Sequence, residues 1–182
     1  DINKTGGRTL SFEIFPPKRN EELRNIDATL EVLCELKPDY ISVTFGAGGS
    51  SNCNKTIELA RKIKEQYGVE PVVHLTCLYY DREEIDAFAD VLRDAGIENI
   101  LALRGDVRED IPRKNDFSHA SVMASYLREK YDFCILGACY PERHPESADM
   151  VSEIRHLKTK GCSGTEGLLS PLVFDNRLFF DF

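Results

Sequence analysis

The chain has 182 residues, of which 31 are acidic and 23 are Lys or Arg, for a formal net charge of −8. Its 42% hydrophobic and 30% charged fractions are those of a globule with a sizeable core, which excludes a largely disordered chain. The acidic balance argues against nucleic acid and anionic membrane surfaces as partners, and no apolar run approaches the roughly 20 residues that span a bilayer.

No N-terminal segment has the charged-then-apolar layout of a signal peptide. The six cysteines, Cys34, Cys53, Cys77, Cys134, Cys139 and Cys162, include no C-x-x-C pair. A zinc framework is therefore not expected, nor any other metal. Several sit inside apolar strand patterns, where Cys acts as a small hydrophobe. They read as reduced thiols of a cytoplasmic protein.

Short apolar segments alternate with longer amphipathic ones. Thr9–Phe15 reads as a strand, ended by Pro16-Pro17. A helix is predicted over Asn20–Leu36, with Leu23, Ile26, Leu30 and Leu33 at helical spacing. Tyr40–Phe45 is a β-branched strand, followed by the Gly46–Ser51 loop. Asn54–Tyr67 is a helix stopped by Gly68, and Pro71–Cys77 a third strand. Asp81–Ala95 is a helix with Gly96 just past its end. Asn99–Arg104 is a fourth strand, and a loop over Gly105–Asn115 leads to a helix over Ser118–Lys130. Phe133–Cys139 is a fifth strand, Pro145–Lys160 a fifth helix, and Leu168–Phe174 a weak sixth strand broken by Pro171. Strict alternation implies parallel strands with right-handed crossovers. Two architectures fit that pattern, a doubly wound open sheet and a (β/α)8 barrel. Nothing marks a second domain, so residues 1–182 read as one.

Polar residues interrupt nearly every strand near its C-terminal end: Glu13, Thr44, His74 with Thr76, Arg104-Gly105-Asp106, and Tyr140 followed by Glu142 and His144. Period-two alternation puts Ser11, Glu13 and Phe15 on one face of the first strand and Leu10, Phe12 and Ile14 on the other. With the apolar face toward the helices, Glu13 would point into a barrel's lumen. Parallel strands carry their C-terminal ends to one rim, where barrel active sites lie. A carboxyl buried there would be desolvated and suited to general acid work. The plainer alternatives are a Glu13–Arg104 structural pair and a hydrogen-bonded core histidine at His74. The Gly46–Gly49 run could cradle a phosphate through its N–H groups. Ser51 takes the place of the last glycine of G-x-G-x-x-G, so a dinucleotide fingerprint is weak.

Five ordered motifs resemble the methylenetetrahydrofolate reductase family: Ser11–Lys18 (SFEIFPPK), Ile41–Ala47 (ISVTFGA), His74–Cys77 (HLTC), Ala102–Asp106 (ALRGD) and Tyr140–Glu146 (YPERHPE). The likeness covers about residues 9–160 and resumes at 172–182. It implies a (β/α)8 TIM barrel with about six of its eight units in this chain. It implies FAD-dependent reduction of 5,10-methylenetetrahydrofolate to 5-methyltetrahydrofolate with NADH or NADPH, in one-carbon and methionine metabolism. In that family the pyridine nucleotide reduces the flavin and leaves before folate binds the same face. The protein then supplies orientation and electrostatics.

Carried over by motif, Glu13 would be the general acid that protonates folate, and Asp106 would tune the flavin and orient folate. Thr44, Phe45 and Ala47 would line the flavin and nicotinamide site. His74, Arg104, Gly105, Tyr140 and His144 would bind FAD. Phe117 and Ser118 align with a pair at the flavin, and Lys160 and Glu153 with later FAD contacts, Glu153 only in charge type. The resemblance also implies a homo-oligomer. Three departures stand out. Gly161–Pro171 does not read like the family's segment, and Pro171 stands where an apolar strand would end in a folate-contacting Gln. The chain stops at Phe182, whereas a typical barrel needs about 250 residues, so a partial chain or completion by another chain is expected. The folate contacts of the last two units are absent. Two rival readings follow, a catalytically weak barrel serving as a partner subunit and an unrelated phosphate-binding barrel lyase or isomerase.

Overall fold

The computed structural model describes residues 8–16, 23–45 and 50–182. Ala47, the Gly46–Gly49 run and positions 20–22 of the predicted first helix lie outside the described residues. Six strands alternate with six helices: β1 (Ser11–Ile14), α1 (Leu23–Glu35), β2 (Tyr40–Val43), α2 (Ser50–Tyr67), β3 (Glu70–Thr76), α3 (Arg82–Asp94), β4 (Asn99–Leu103), α4 (Ala120–Lys130), β5 (Cys134–Ala138), α5 (Met150–Cys162), β6 (Gly167–Leu169) and α6 (Asn176–Asp181). The strands hydrogen-bond in chain order, β1 to β6, and the β1–β2, β2–β3 and β5–β6 pairs are parallel. A doubly wound sheet reverses its order at a switch point. This sheet has no reversal, so the fold is that of a (β/α)8 barrel, with six of the eight units. No helix among the described residues is long and apolar enough to cross a membrane.

The chain forms two compact units, Asp1–Leu75 with Arg82–Ile100, and Thr76–Asp81 with Leu101–Phe182. In the first, β2 is buried along its whole length. Its core includes Leu30, Ile41, Val43, Ile57, Ala60, Ile63 and Val73. Each Val, Leu or Ile among them contributes on the order of 2 kcal/mol by leaving water. Helix α3 buries Ile85, Ala89 and Leu92, spaced so that one stripe faces inward. Gly96 ends that region with φ +68°. Its N–H donates to the Arg93 carbonyl and Ile97 N–H to Leu92, closing the last turn.

In the second unit the core is Phe117, Met123, Ala124, Leu127, Phe133, Ile135 and Leu136. Three predicted boundaries are corrected here. The fifth helix starts at Met150, not Pro145, because Asp149 caps it by accepting the Ser152 N–H at 2.7 Å. The second helix starts at Ser50 rather than Asn54. The sixth strand is Gly167–Leu169, two residues short of Pro171. The unusual Gly161–Pro171 segment still forms that strand, paired with β5 through Leu136↔Gly167 and Ala138↔Leu169.

Candidate active site residues in the two units

The register of the first unit pairs Glu13 with Ser42 and Ser42 with Val72. Parallel partners share a face, and alternation carries that face on to Thr44 and His74. Glu13, Ser42, Thr44 and His74 therefore share one side of β1–β3, while Ile14, Val43 and Val73 share the other and are buried. His74 Nε2 lies 3.7 Å from Glu13 Oε2, beyond hydrogen-bonding range. His74 is 7% exposed and its Nε2 is buried without a hydrogen-bond partner. Burial pulls the His74 pKa down to about 4. Burial thus favours the neutral imidazole over an ion pair with Glu13.

Glu13 does not fit the expectation of a buried carboxyl. Its side chain is 53% exposed, because among the described residues β1 has a strand neighbour on one side only. Nor does it pair with Arg104, whose fork is taken by Glu146, as described below. Thr44 is half-buried and held through its backbone: its N–H donates to the Ile14 carbonyl at 3.0 Å, and its carbonyl accepts from Thr56 Oγ1 at 3.1 Å. Phe45 meets Phe88 edge-on at 5.7 Å.

The second unit holds the remaining positions. Arg104, just beyond β4, donates from both terminal nitrogens to Glu146, at 2.6 and 2.7 Å. This bidentate geometry is the strong form of the pair. It holds the Glu146 carboxyl well below the usual range, at about 2. Next in the chain, Gly105 has φ +90°, and a Cβ there would lie 3.2 Å from Thr76 Cβ. Both strain and contact oppose a side chain at this point. Gly105→Ala is expected to destabilise the protein by about 2 kcal/mol, read as a lower midpoint in urea unfolding. An unchanged midpoint would show that the 105 turn relaxes freely.

Asp106 is exposed. Phe117 is fully buried against Tyr126, with ring centroids 5.4 Å apart. Its side chain is spent in the core, leaving the neighbouring exposed Ser118 beside His119.

Around the end of β5 the polar groups converge. Tyr140 and His144 stack edge to face at 4.8 Å. Lys160 Nζ lies 5.4 Å from the Tyr140 centroid and donates to the Ala138 carbonyl at 2.7 Å. Partial burial lowers the Lys160 pKa and raises that of Tyr140. His144 Nδ1 accepts the Glu146 N–H at 3.1 Å. Nδ1 is thus used as an acceptor, which leaves Nε2 as the ring's donor. Glu153, the one buried residue of α5, is turned inward. It accepts from Ser147 Oγ at 2.5 Å and from His144 N–H at 3.4 Å. In this conformation it supports the 140–149 loop from below.

Sequence reading missed two of these partners. Glu146 and Ser147 lie in or beside a quoted motif, but no periodicity assigns a loop side chain to Arg104 or Glu153.

Chemically, the second unit offers the Lys160 cation, an imidazole N–H and an aromatic face, with Arg104 held by Glu146 beside them, a donor set suited to a polyanionic aromatic ligand. The first offers a solvent-accessible carboxyl beside a buried imidazole whose Nε2 has no hydrogen-bond partner. The sequence profile of the family described as "Methylenetetrahydrofolate reductase" matches residues 1–182. The chain is 33% identical over 177 residues to "5,10-methylenetetrahydrofolate reductase" of Pectobacterium carotovorum, covering 97% of this chain and 58% of that protein. It is 32% identical over 196 residues to "Methylenetetrahydrofolate reductase (NADH) 1" of Arabidopsis thaliana, covering 100% of this chain and 33% of that protein. The chain thus spans little more than half of the bacterial relative and a third of the plant one. Among solved structures it is similar to a phosphoenolpyruvate phosphomutase from Streptomyces platensis, with a TM-score of 0.58 at 12% identity over 90% of this chain and 60% of that one. It is also similar to a 4-hydroxy-tetrahydrodipicolinate synthase from Methylacidiphilum fumariolicum, with a TM-score of 0.52 at 17% identity over 85% and 52%. Those two likenesses describe the fold alone. The match along the full sequence goes further, and by it the chain belongs to the methylenetetrahydrofolate reductase family.

Proposed function

We propose that this chain carries residues for the reduction of 5,10-methylenetetrahydrofolate to 5-methyltetrahydrofolate, with FAD as cofactor and NADH or NADPH as electron donor, in the cytoplasm. The observation that carries the reading is the donor set of the second unit, found in a member of this family. FAD is a polyanion with an aromatic ring system. Lys160 and the Nε2–H of His144 fit its charge and the Tyr140 ring fits its aromatic face, while Arg104, its fork held by Glu146, ties the end of β4 to the 140–146 loop that carries them. The buried unpartnered Nε2 of His74 is a further polar atom that a bound group would satisfy. The family resemblance gives Thr44, Phe45 and Ala47 in the first unit, and Gly105, Ser118 and the core residue Phe117 in the second, as further cofactor positions. Glu153 acts in this reading by fixing His144.

The bound flavin would supply hydride relay between nicotinamide and folate. The chain's own work is binding and proton handling. Glu13, exposed on its strand, delivers a proton to the folate nitrogen and so helps open the five-membered ring to the reactive iminium. Asp106 orients the folate and tunes the flavin through its charge. The protein works as a homo-oligomer or is completed by another chain, with folate as its small-molecule partner. No observation favours a non-catalytic subunit or a phosphate-ester lyase.

The experiment is an absorption spectrum of the protein with added FAD, before and after anaerobic NADH. A bound-flavin spectrum that bleaches with NADH is the expected result. Flavin that binds without bleaching, with NADPH as well as NADH, would remove the nicotinamide half of the reading. A protein that takes up no flavin would remove the cofactor assignment.

A further inference from the structure

Among the described residues of the second unit, one hydroxyl joins two loops 27 residues apart. Tyr79 lies in the turn after β3, and its Oη sits 3.2 Å from the Asp106 carbonyl and 3.4 Å from the Arg108 carbonyl. It also accepts the Arg108 N–H at 2.5 Å. A phenol has one proton and two lone pairs. It can accept from Arg108 while donating to one of the two carbonyls at a time, so this geometry uses its proton and one of its lone pairs.

The same turn grips the loop at other points. Cys77 N–H donates to the Leu103 carbonyl at 3.1 Å, and Leu78 N–H to the Arg104 carbonyl at 3.0 Å. Gly105 packs against Thr76. Further along, Lys114 N–H donates to the Leu78 carbonyl at 3.1 Å, and Lys114 Nζ meets Asp81 at 2.6 Å. Of these contacts, the Tyr79 hydroxyl is the one that reaches the backbone of Asp106 itself. The Asp106 side chain is exposed. Its direction is therefore set by the backbone that carries it, between the Gly105 turn and the Tyr79 hydroxyl.

We propose that Tyr79 is a positioning residue for Asp106: its hydroxyl clamps the 106–108 backbone and so fixes where the Asp106 carboxylate stands toward a ligand. The role assigned to Asp106 rests on the proposed function; the clamp does not. A carboxylate on an unclamped loop would sample many directions, and misplacement by about 1 Å is enough to slow a positioned reaction.

The test uses the full chain and Tyr79→Phe, which keeps the ring and removes the hydroxyl. Amide hydrogen exchange reads the clamp without any cofactor. The Arg108 amide is expected to exchange about tenfold faster in Tyr79→Phe, with the amides of α4 unchanged. Equal Arg108 rates in the two proteins would overturn the clamp. Faster exchange throughout α4 would show general loosening and would equally overturn it. With FAD added, a double-mutant cycle with Asp106→Asn reads the consequence. Tyr79→Phe is expected to shift the bound-flavin spectrum and lower kcat for folate several-fold in the wild-type background, and to do neither once Asp106→Asn is present. Equal effects in both backgrounds would overturn the positioning role. If the wild-type protein binds no flavin, the proposed function fails and Asp106 loses its role with it, while the exchange result still decides the clamp.

Discussion

Glu13→Gln is expected to leave flavin reduction by NADH unchanged and to slow the folate half-reaction by about a hundredfold or more. The amide is nearly the shape of the carboxyl but has no acidic proton to give. The substitution isolates proton delivery from packing, because the Glu13 side chain is 53% exposed and makes no hydrogen bond to His74. Folding should survive it. The prediction divides the reaction at one step. Hydride transfer from nicotinamide to flavin needs no protein acid, whereas opening the folate ring does. Stopped-flow measurement of the two half-reactions checks this directly. A Glu13→Gln protein that reduces folate at the wild-type rate would remove Glu13 from the mechanism. One that no longer accepts electrons from NADH would place Glu13 in binding rather than in proton transfer. Glu13→Asp shortens the reach but keeps the acid, so it should recover part of the lost rate.

What was readable from sequence follows the range of each physical signal. Alternation of strands and helices is local, written in periods of two and 3.6 residues, and six strands and the first five helices were found that way, whereas the short α6 was not. Strand order is not local. Only the sequential pairing β1 to β6 decides between the barrel and the doubly wound sheet, which share the same alternation. The face of β1 that carries Glu13 was legible for the same reason as the strands, while its sharing with His74 came only with the strand register. The exposure of Glu13 was not, since it depends on how many strands flank β1. In the second unit, motif residues fell into place around the end of β5, but their partners did not announce themselves. Arg104 finds Glu146 across 42 residues, and Glu153 turns to Ser147 rather than outward. A helix cap at Asp149 displaced the start of α5 by five residues from Pro145, because one side-chain acceptor at the right place outweighs a continuing helical pattern.

The same distinction between local signal and tertiary burial gives the second large expected effect, an acid-side loss of stability that belongs to His74. The ring is buried, and its pKa is held near 4, against about 6.5 in an unfolded chain. Glu13 is the titratable group that meets it, and a carboxylate at 3.7 Å favours the charged ring. That attraction is worth only about 1 kcal/mol in a watery setting, and Glu13 is half in water, so burial wins. Folding therefore prefers the neutral ring. Above about pH 6.5 both states are neutral and the stability is fully present. As pH falls from about 6.5 to about 4, the unfolded chain takes up a proton that the folded one refuses, and about 3 kcal/mol is lost. Glu146, held at about 2 by Arg104, loses its own contribution only at lower pH, so the two windows separate. Urea unfolding at several pH values should show wild type losing about 3 kcal/mol more across this window than His74→Gln, which cannot titrate. Parallel pH profiles for the two proteins would mean that His74 is protonated in the folded state, and with it that the Glu13 contact is an ion pair after all.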